Sequence, residues 1–418
     1  PLSLIFDCET ATLPYINDYN IDANLRKKIS IAKPLIYDIG WQVVSSTGRV
    51  YSRHSFLIQE TFFVPSVFNT AYYRDKRPIY LDWLNNGKIS TGTWKEVTQI
   101  LLQDMERSDL LLAYNAMFDF KKAIPFTERY IRALYSDNYW EYEERQRKSI
   151  KNMIANNGKS EPNDEFDGFN MYFRGKNYPI SDLWALSCEM LINEERFKKD
   201  AIKNCHVTAS GLYFKTTAER TTQYILKDDT FTESHTALED VFIETDILLK
   251  LAKKMANQIP QGLSYFPFQE LGETIDYCVS LNKKGKPIFT KEELVKILDI
   301  LYQKSLEYDI VSSFSVKLSR KAQQLIDFIA LHYSKEVETS KDKVFRYWIA
   351  YGDLYRSYRK MYFELGNLKK NGKAYKAKKE ALEQKEKELN ALIDEIVNSG
   401  FELTEEGRII EKAGNENE

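Results

Sequence analysis

Two carboxylates alternate in Asp7-Cys8-Glu9-Thr10, at the end of an apolar run over 2–6. A β-strand places every second side chain on one face, so this pair would project together. Neighbouring carboxylates repel unless a cation lies between them, and hard divalent ions such as Mg²⁺ favour oxygen ligands. Taken alone, such a pair is also what a solvated strand end looks like. Another acid arrives in Asn115-Ala116-Met117-Phe118-Asp119, after the apolar run 109–114. Asn115 is there the natural cap of a helix whose first turn holds Asp119, where the helix dipole favours negative charge. The same arrangement aims Asp119 at the strand end. In His235-Thr236-Ala237-Leu238-Glu239-Asp240, Thr236 and Glu239 form a capping box, so a helix begins near Thr236. Asp240 then lies early in that helix and His235 on the loop before it. A single loop histidine is ordinary; this one is followed by an acid five residues on.

The elements that must position these groups are legible in outline. Residues 1–58 read as β-rich. Runs 35–44 and 50–58 are joined by the turn residues Ser45-Ser46-Thr47-Gly48, as in a hairpin. Residues 183–191 read as a helix, and a long helix after His235 presents Val241, Leu248 and Leu249 near one face. Two stretches interrupt the pattern, 14–33 and the polar segment 136–178. The run Leu281-Asn282-Lys283-Lys284-Gly285-Lys286-Pro287 marks a boundary. The expected organisation is therefore a domain over 1–282 with insertions near 14–33 and 136–178, then an all-helical, partly basic accessory domain over 283–418.

Composition limits the function classes. The 418 residues carry 59 Lys plus Arg against 61 Asp plus Glu, a net charge of −2. A uniformly basic nucleic-acid coat is thereby excluded, and any such binding must use local patches. No stretch is apolar enough to predict a membrane span. Cys8, Cys188, Cys205 and Cys278 fit neither a zinc pattern nor a disulfide framework. The N-terminus does not read as a signal peptide. A reducing, cytoplasmic location is the expectation.

Taken in order, Asp7, Glu9, Asp119, His235 and Asp240 resemble the motif set of the DEDDh, or DnaQ-like, 3′→5′ exonucleases. Phe6-Asp7-Cys8-Glu9-Thr10, Asp38-Ile39-Gly40 and Leu111-Leu112-Ala113-Tyr114-Asn115 add to the likeness. It covers residues 1–260 with interruptions. The resemblance implies an α/β, RNase H-like fold, a mixed central sheet with flanking helices. It implies that Asp7, Glu9, Asp119 and Asp240 hold two Mg²⁺ or Mn²⁺ ions and that His235 is the general base. It implies substrate contacts near Thr10 and Asn115. Hydrolysis of nucleotides from a 3′ end, with release of 5′-mononucleotides, is the function expected, with DNA as the leading substrate. An RNA-directed exoribonuclease and a non-catalytic nucleic-acid-binding or polymerase accessory module are the alternatives. The 14–33 and 136–178 segments depart from the family pattern.

Beyond 283 nothing belongs to the resemblance. Within 341–379, 12 basic residues stand against 3 acidic ones. Tyr347, Tyr351, Tyr355, Tyr358 and Tyr362 form a helical stripe, read as the buried face of a bundle. Lys369, Lys370 and Lys373 are candidate phosphate contacts. Leu382, Leu389 and Ile396 recur every seven residues, as in a short helical hairpin. The expected partners are a DNA or RNA 3′ end, and a polymerase or repair partner or a second copy at the C-terminal helices, with no membrane.

Overall fold

The computed structural model describes residues 1–159, 170–254, 273–333, 339–368, 372–404 and 407–412. The chain forms two compact units, Pro1–Asn193 with Thr216–Leu271, and Glu194–Lys215 with Gly272–Glu418. This differs from a single cut after 282. Residues 194–215 group with the later chain because Tyr277 donates to Glu195 Oε2 at 2.7 Å and the Thr274 amide donates to the Leu212 carbonyl at 2.9 Å. The expected boundary at 281–287 is instead a tight loop within the second unit, closed where the Asn282 amide donates to the Lys286 carbonyl.

The first unit is α/β, built on a seven-stranded mixed sheet of order β4-β3-β2-β1-β5-β7-β6. Its strands are β1 (Leu2–Ala11), β2 (Leu35–Ser45), β3 (Val50–Ile58), β4 (Ser90–Gly92), β5 (Leu110–Ala113), β6 (Asn170–Phe173) and β7 (Lys176–Asp182). β1, β2 and β3 pair antiparallel, whereas β5 runs parallel to β1 and β7 parallel to β5. Leu4, Ile5 and Phe6 are all fully buried, as befits a strand covered on both faces. Leu4 and Phe6 join one core cluster, and Ile5 joins another with Val241 and Leu248 of the helix Ala237–Lys254.

The segment 136–178 is less of an insertion than its polarity suggests. It holds the helix Tyr139–Ala155, strand β6 and the start of β7. Segment 14–33 contains a helical turn, Pro14–Asp18, and the helix Ala23–Ala32. Gly40 on β2 fixes where the 237–254 helix can lie. A Cβ there would come within 2.8 Å of the Ala237 carbonyl carbon and the Leu238 amide nitrogen, so only glycine admits this approach. Since Gly40 is the register partner of Asp7, the close approach delivers the third motif to the first.

The second unit contains the helices Glu195–Lys203, Lys291–Ser305, Ser313–His332, Ser340–Gly366 and Lys373–Asn398. It is not all-helical: β8 (Phe401–Leu403) and β9 (Ile409–Glu411) form an antiparallel pair. Tyr302 donates to the Ile409 carbonyl at 2.8 Å, and the Tyr347 ring packs edge-on against Phe401. The two long helices pack on each other, and Leu382, Leu389 and Ile396 are the buried residues of the second, as a helical hairpin requires. The tyrosine stripe is buried only at one end. Tyr347 is inside, while Tyr362 is 58% exposed.

Candidate active site

The period of β1 puts Asp7 and Glu9 on the face of Ile5, which carries the 237–254 helix. A register shift between Glu9 and Thr10 interrupts the pairing with β2, and such bulges re-aim side chains at sheet ends. Thr10 lies just past it, half-buried, opposite Ile36.

Asp119 enters from the end of β5. Asn115 does not cap the following helix through its side chain, as expected from sequence. Its backbone is left-handed (φ 70°) with no side-chain cap bond, and its amide donates to Asp182 Oδ1 at 3.0 Å. Asp182 also accepts from the Trp184 amide at 2.8 Å, so a buried aspartate at the end of β7 holds the turn. Asn is among the few residues that tolerate this conformation. A short helical turn, Ala116–Phe118, leads into a π-helical turn, Asp119–Ala123, a local widening frequent at functional sites. Asp119 is 3% exposed, and Cys8 Sγ donates to its Oδ1 at 3.1 Å.

Asp38 positions the third motif. Fully buried on β2, its Oδ2 accepts from the Ala237 amide at 2.9 Å and from Tyr80 Oη at 2.8 Å. The first helical residue is thereby tied to the sheet. Just upstream, Lys76 donates to the Ser234 carbonyl, and Ser234 Oγ donates to Asp240 Oδ1 at 3.2 Å. His235 is left-handed (φ 52°), a conformation that costs about 1 kcal/mol or more for such a residue. Its ring stacks on Tyr73, with centroids 4.5 Å apart and planes inclined by 11°, and its Nδ1 faces Glu233 Oε2 at 3.9 Å. Glu9, His235 and Asp240 each offer a donor atom within 4.8 Å of the others'.

Sequence reasoning missed Glu244. It sits one helical turn beyond Asp240, on the same face, and is 3% exposed. Its Oε2, like Asp7 Oδ2, is buried without a hydrogen-bond partner. The spacing Asp240-x-x-x-Glu244 was the available signal. Tyr73 and Lys76 had none, because they carry no motif and reach the cluster only through tertiary folding, and Glu233, although two residues before His235, belongs to no motif.

The crowding of acids shows in their protonation. Burial, then Glu244, Asp240, Asp119 and Glu9, push the Asp7 carboxyl well above its usual range. Burial, then Asp240, does the same to Glu9, and burial, then Asp119, to Glu244. Burial pushes Asp119 up to about 8, and burial with Glu233 pushes Asp240 up to about 8. His235 moves the other way: burial, then Lys76, lower its pKa. An array of five acids from three distant segments, with lone oxygens turned inward, suits a hard divalent ion.

No family model matches the chain. Neither does any curated protein or any solved structure. The five motif residues thus come together in the first unit, while Lys373 lies exposed at the start of a helix of the second. Lys369 and Lys370 lie outside the described residues. Among the described residues no helix is long and apolar enough to cross a membrane.

Proposed function

We propose that the first unit is a divalent-metal-dependent 3′→5′ exonuclease of the DEDDh kind, with an RNase H-like fold, hydrolysing nucleotides from the 3′ end of DNA. The observation that carries this reading is the convergence of Asp7, Glu9, Asp119, Asp240 and His235 at one end of the sheet. An antiparallel β3-β2-β1 run followed by parallel β5 and β7 supports the fold assignment.

Asp7, Glu9, Asp119 and Asp240 would hold two Mg²⁺ or Mn²⁺ ions, with Glu244 as an added carboxylate. Such ions, when bound, lower the pKa of water and offset the charge developing on the leaving 3′ oxygen. The chain supplies the rest. Asp7 stands where the fields of four other acids meet. His235 is kept neutral near pH 7 by burial and by Lys76, the state a general base requires. With Nδ1 turned to Glu233, Nε2 is the nitrogen left to accept a proton from water. Tyr73 holds the ring plane by stacking. The test is Mg²⁺-dependent shortening of matched DNA and RNA oligonucleotides with recessed or extended 3′ ends. Release of 5′-mononucleotides is the expected product, and an inert protein would leave only the binding role.

Two further results are expected. Glu244→Gln mimics a protonated glutamate in shape. If Glu244 acts as an anion beside the ions, the variant should bind Mn²⁺ roughly 10-fold more weakly, read by loss of the free-ion electron paramagnetic resonance signal. Equal affinity would make Glu244 a neutral structural group. The second result concerns pH. Asp119 and Asp240 hold protons up to about 8 when folded but release them near 4 when unfolded. Their contribution is complete below about pH 4 and is lost as pH rises toward 8. The metal-free protein should therefore melt several degrees lower at pH 8.5 than at pH 6. Mn²⁺ should raise the melting temperature more at pH 8.5, because the ions compete with fewer protons. A melting temperature independent of pH and metal would contradict the buried anionic cluster.

A further inference from the structure

The two segments outside the family likeness, 14–33 and 136–178, are joined to one another. The helix Ala23–Ala32 packs against the helix Tyr139–Ala155. Arg147 clamps the joint, with Nη1 on Asp18 Oδ2 at 2.7 Å and Nε on Glu143 Oε1 at 2.7 Å. Its guanidinium also lies 4.3 Å from the Tyr15 ring centroid. Lys28 reaches across to the Asn157 carbonyl at 3.2 Å. The acids Asp18 and Glu143 are thus turned to Arg147.

Beside this joint, and against the helix Ile124–Leu134, runs an open cavity of about 840 Å³. Its described walls carry Lys28, Lys33, Lys122, Arg129, Arg145 and Lys148, and no carboxylate. So many like charges around one concavity repel each other, and they focus a positive field that attracts polyanions. Lys33 is the most telling. It is 7% exposed, yet its ammonium meets a neutral acceptor, Gln146 Oε1, at 2.8 Å. Buried charges normally have a counter-charge. An ammonium has three donors, and none is placed on a carboxylate by any described contact of Lys33. The cavity also adjoins the carboxylate cluster in sequence, because Lys122 belongs to the π-helical turn that begins at Asp119.

We propose that this cavity is a phosphodiester groove, formed by the two extra segments, that holds the body of the nucleic-acid strand while its 3′ end lies at the carboxylates. The groove's assignment to the degraded strand rests on the exonuclease reading. Its capacity to bind a polynucleotide does not.

The experiment uses the full chain with Lys122→Glu, Arg145→Glu and Lys148→Glu combined, three exposed positions whose exchange should leave the melting temperature near that of wild type. A fluorescently labelled single-stranded 15-mer is titrated by anisotropy in EDTA, which prevents cleavage. The variant should bind about 30-fold more weakly at low salt, and the slope of log affinity against log salt should fall by about 2, for three lost phosphate contacts. Mn²⁺-dependent hydrolysis of the p-nitrophenyl ester of thymidine 5′-monophosphate, too short to reach the groove, should be unchanged. An unaltered affinity and salt slope would overturn the groove. So would displacement of the 15-mer by inorganic phosphate or a mononucleotide at micromolar concentration, which would make the cavity a single-anion site. A wild type inert toward the ester removes the exonuclease reading, and the anisotropy comparison still decides the groove.

Discussion

Asp7→Asn should eliminate Mg²⁺-dependent shortening of a 3′-extended oligonucleotide, a loss of about 10⁴-fold or more. Asp7 is the residue on which Glu244, Asp240, Asp119 and Glu9 all act, so it is the natural centre of any ion pair the cluster holds. Asparagine keeps the shape and removes the charge. A structural role and a metal-binding role then diverge. Without metal the variant loses a source of repulsion among buried acids and should melt no lower than wild type, by our expectation about a few degrees higher. With Mn²⁺ the order should reverse, because stabilisation by a ligand follows its affinity for the folded state. Wild-type rates in this variant would remove Asp7 from the chemistry. A lowered metal-free melting temperature would instead assign the loss to folding.

His235→Ala should slow hydrolysis by about 10²–10⁴-fold, the usual worth of a general base, while leaving oligonucleotide affinity largely intact. The imidazole lies close enough to Glu9 and Asp240 to serve as a ligand as well, and Mn²⁺ affinity separates the two roles. Retained affinity with lost rate marks a base; lost affinity marks a ligand. The pH profile adds a second readout. A base works only when unprotonated, so kcat/KM should rise with pH through the pKa of His235. Burial and Lys76 hold that pKa below the ordinary histidine value, which places the rising limb on the acid side of about 6.5. The limb should vanish in His235→Ala. A profile identical in shape to wild type would show that another group moves the proton.

The acidic residues and His235 of the candidate site were more legible in the sequence than their supports. Asp7 and Glu9 were legible because a strand's period of two is local, and Asp240 because a helix start is marked by its own capping residues. Asp38 and Asp182 were not legible as supports, since their hydrogen bonds run to Ala237 and Asn115, far along the chain. Asn115 looked like a side-chain cap because Asn favours both that role and the left-handed turn it adopts. Strand β7 hid within polar text: Lys176, Asn177 and Pro179 obscure a strand buried at Tyr178, Ile180, Ser181 and Asp182. The domain boundary was misplaced because a Lys-Gly-Lys-Pro loop reads as a linker, whereas the pairing of 194–215 with 272 onward depends on tertiary contacts. The tyrosine stripe had the correct helical period, but periodicity cannot tell that burial ends before Tyr362.

Anomalous diffraction from crystals soaked in Mn²⁺ tests the proposed metal centre most directly. Two peaks about 3.5–4 Å apart, bounded by Asp7, Glu9, Asp119 and Asp240, are the expected result. No peak among these carboxylates, at Mn²⁺ concentrations that saturate ordinary two-metal nucleases, would contradict it.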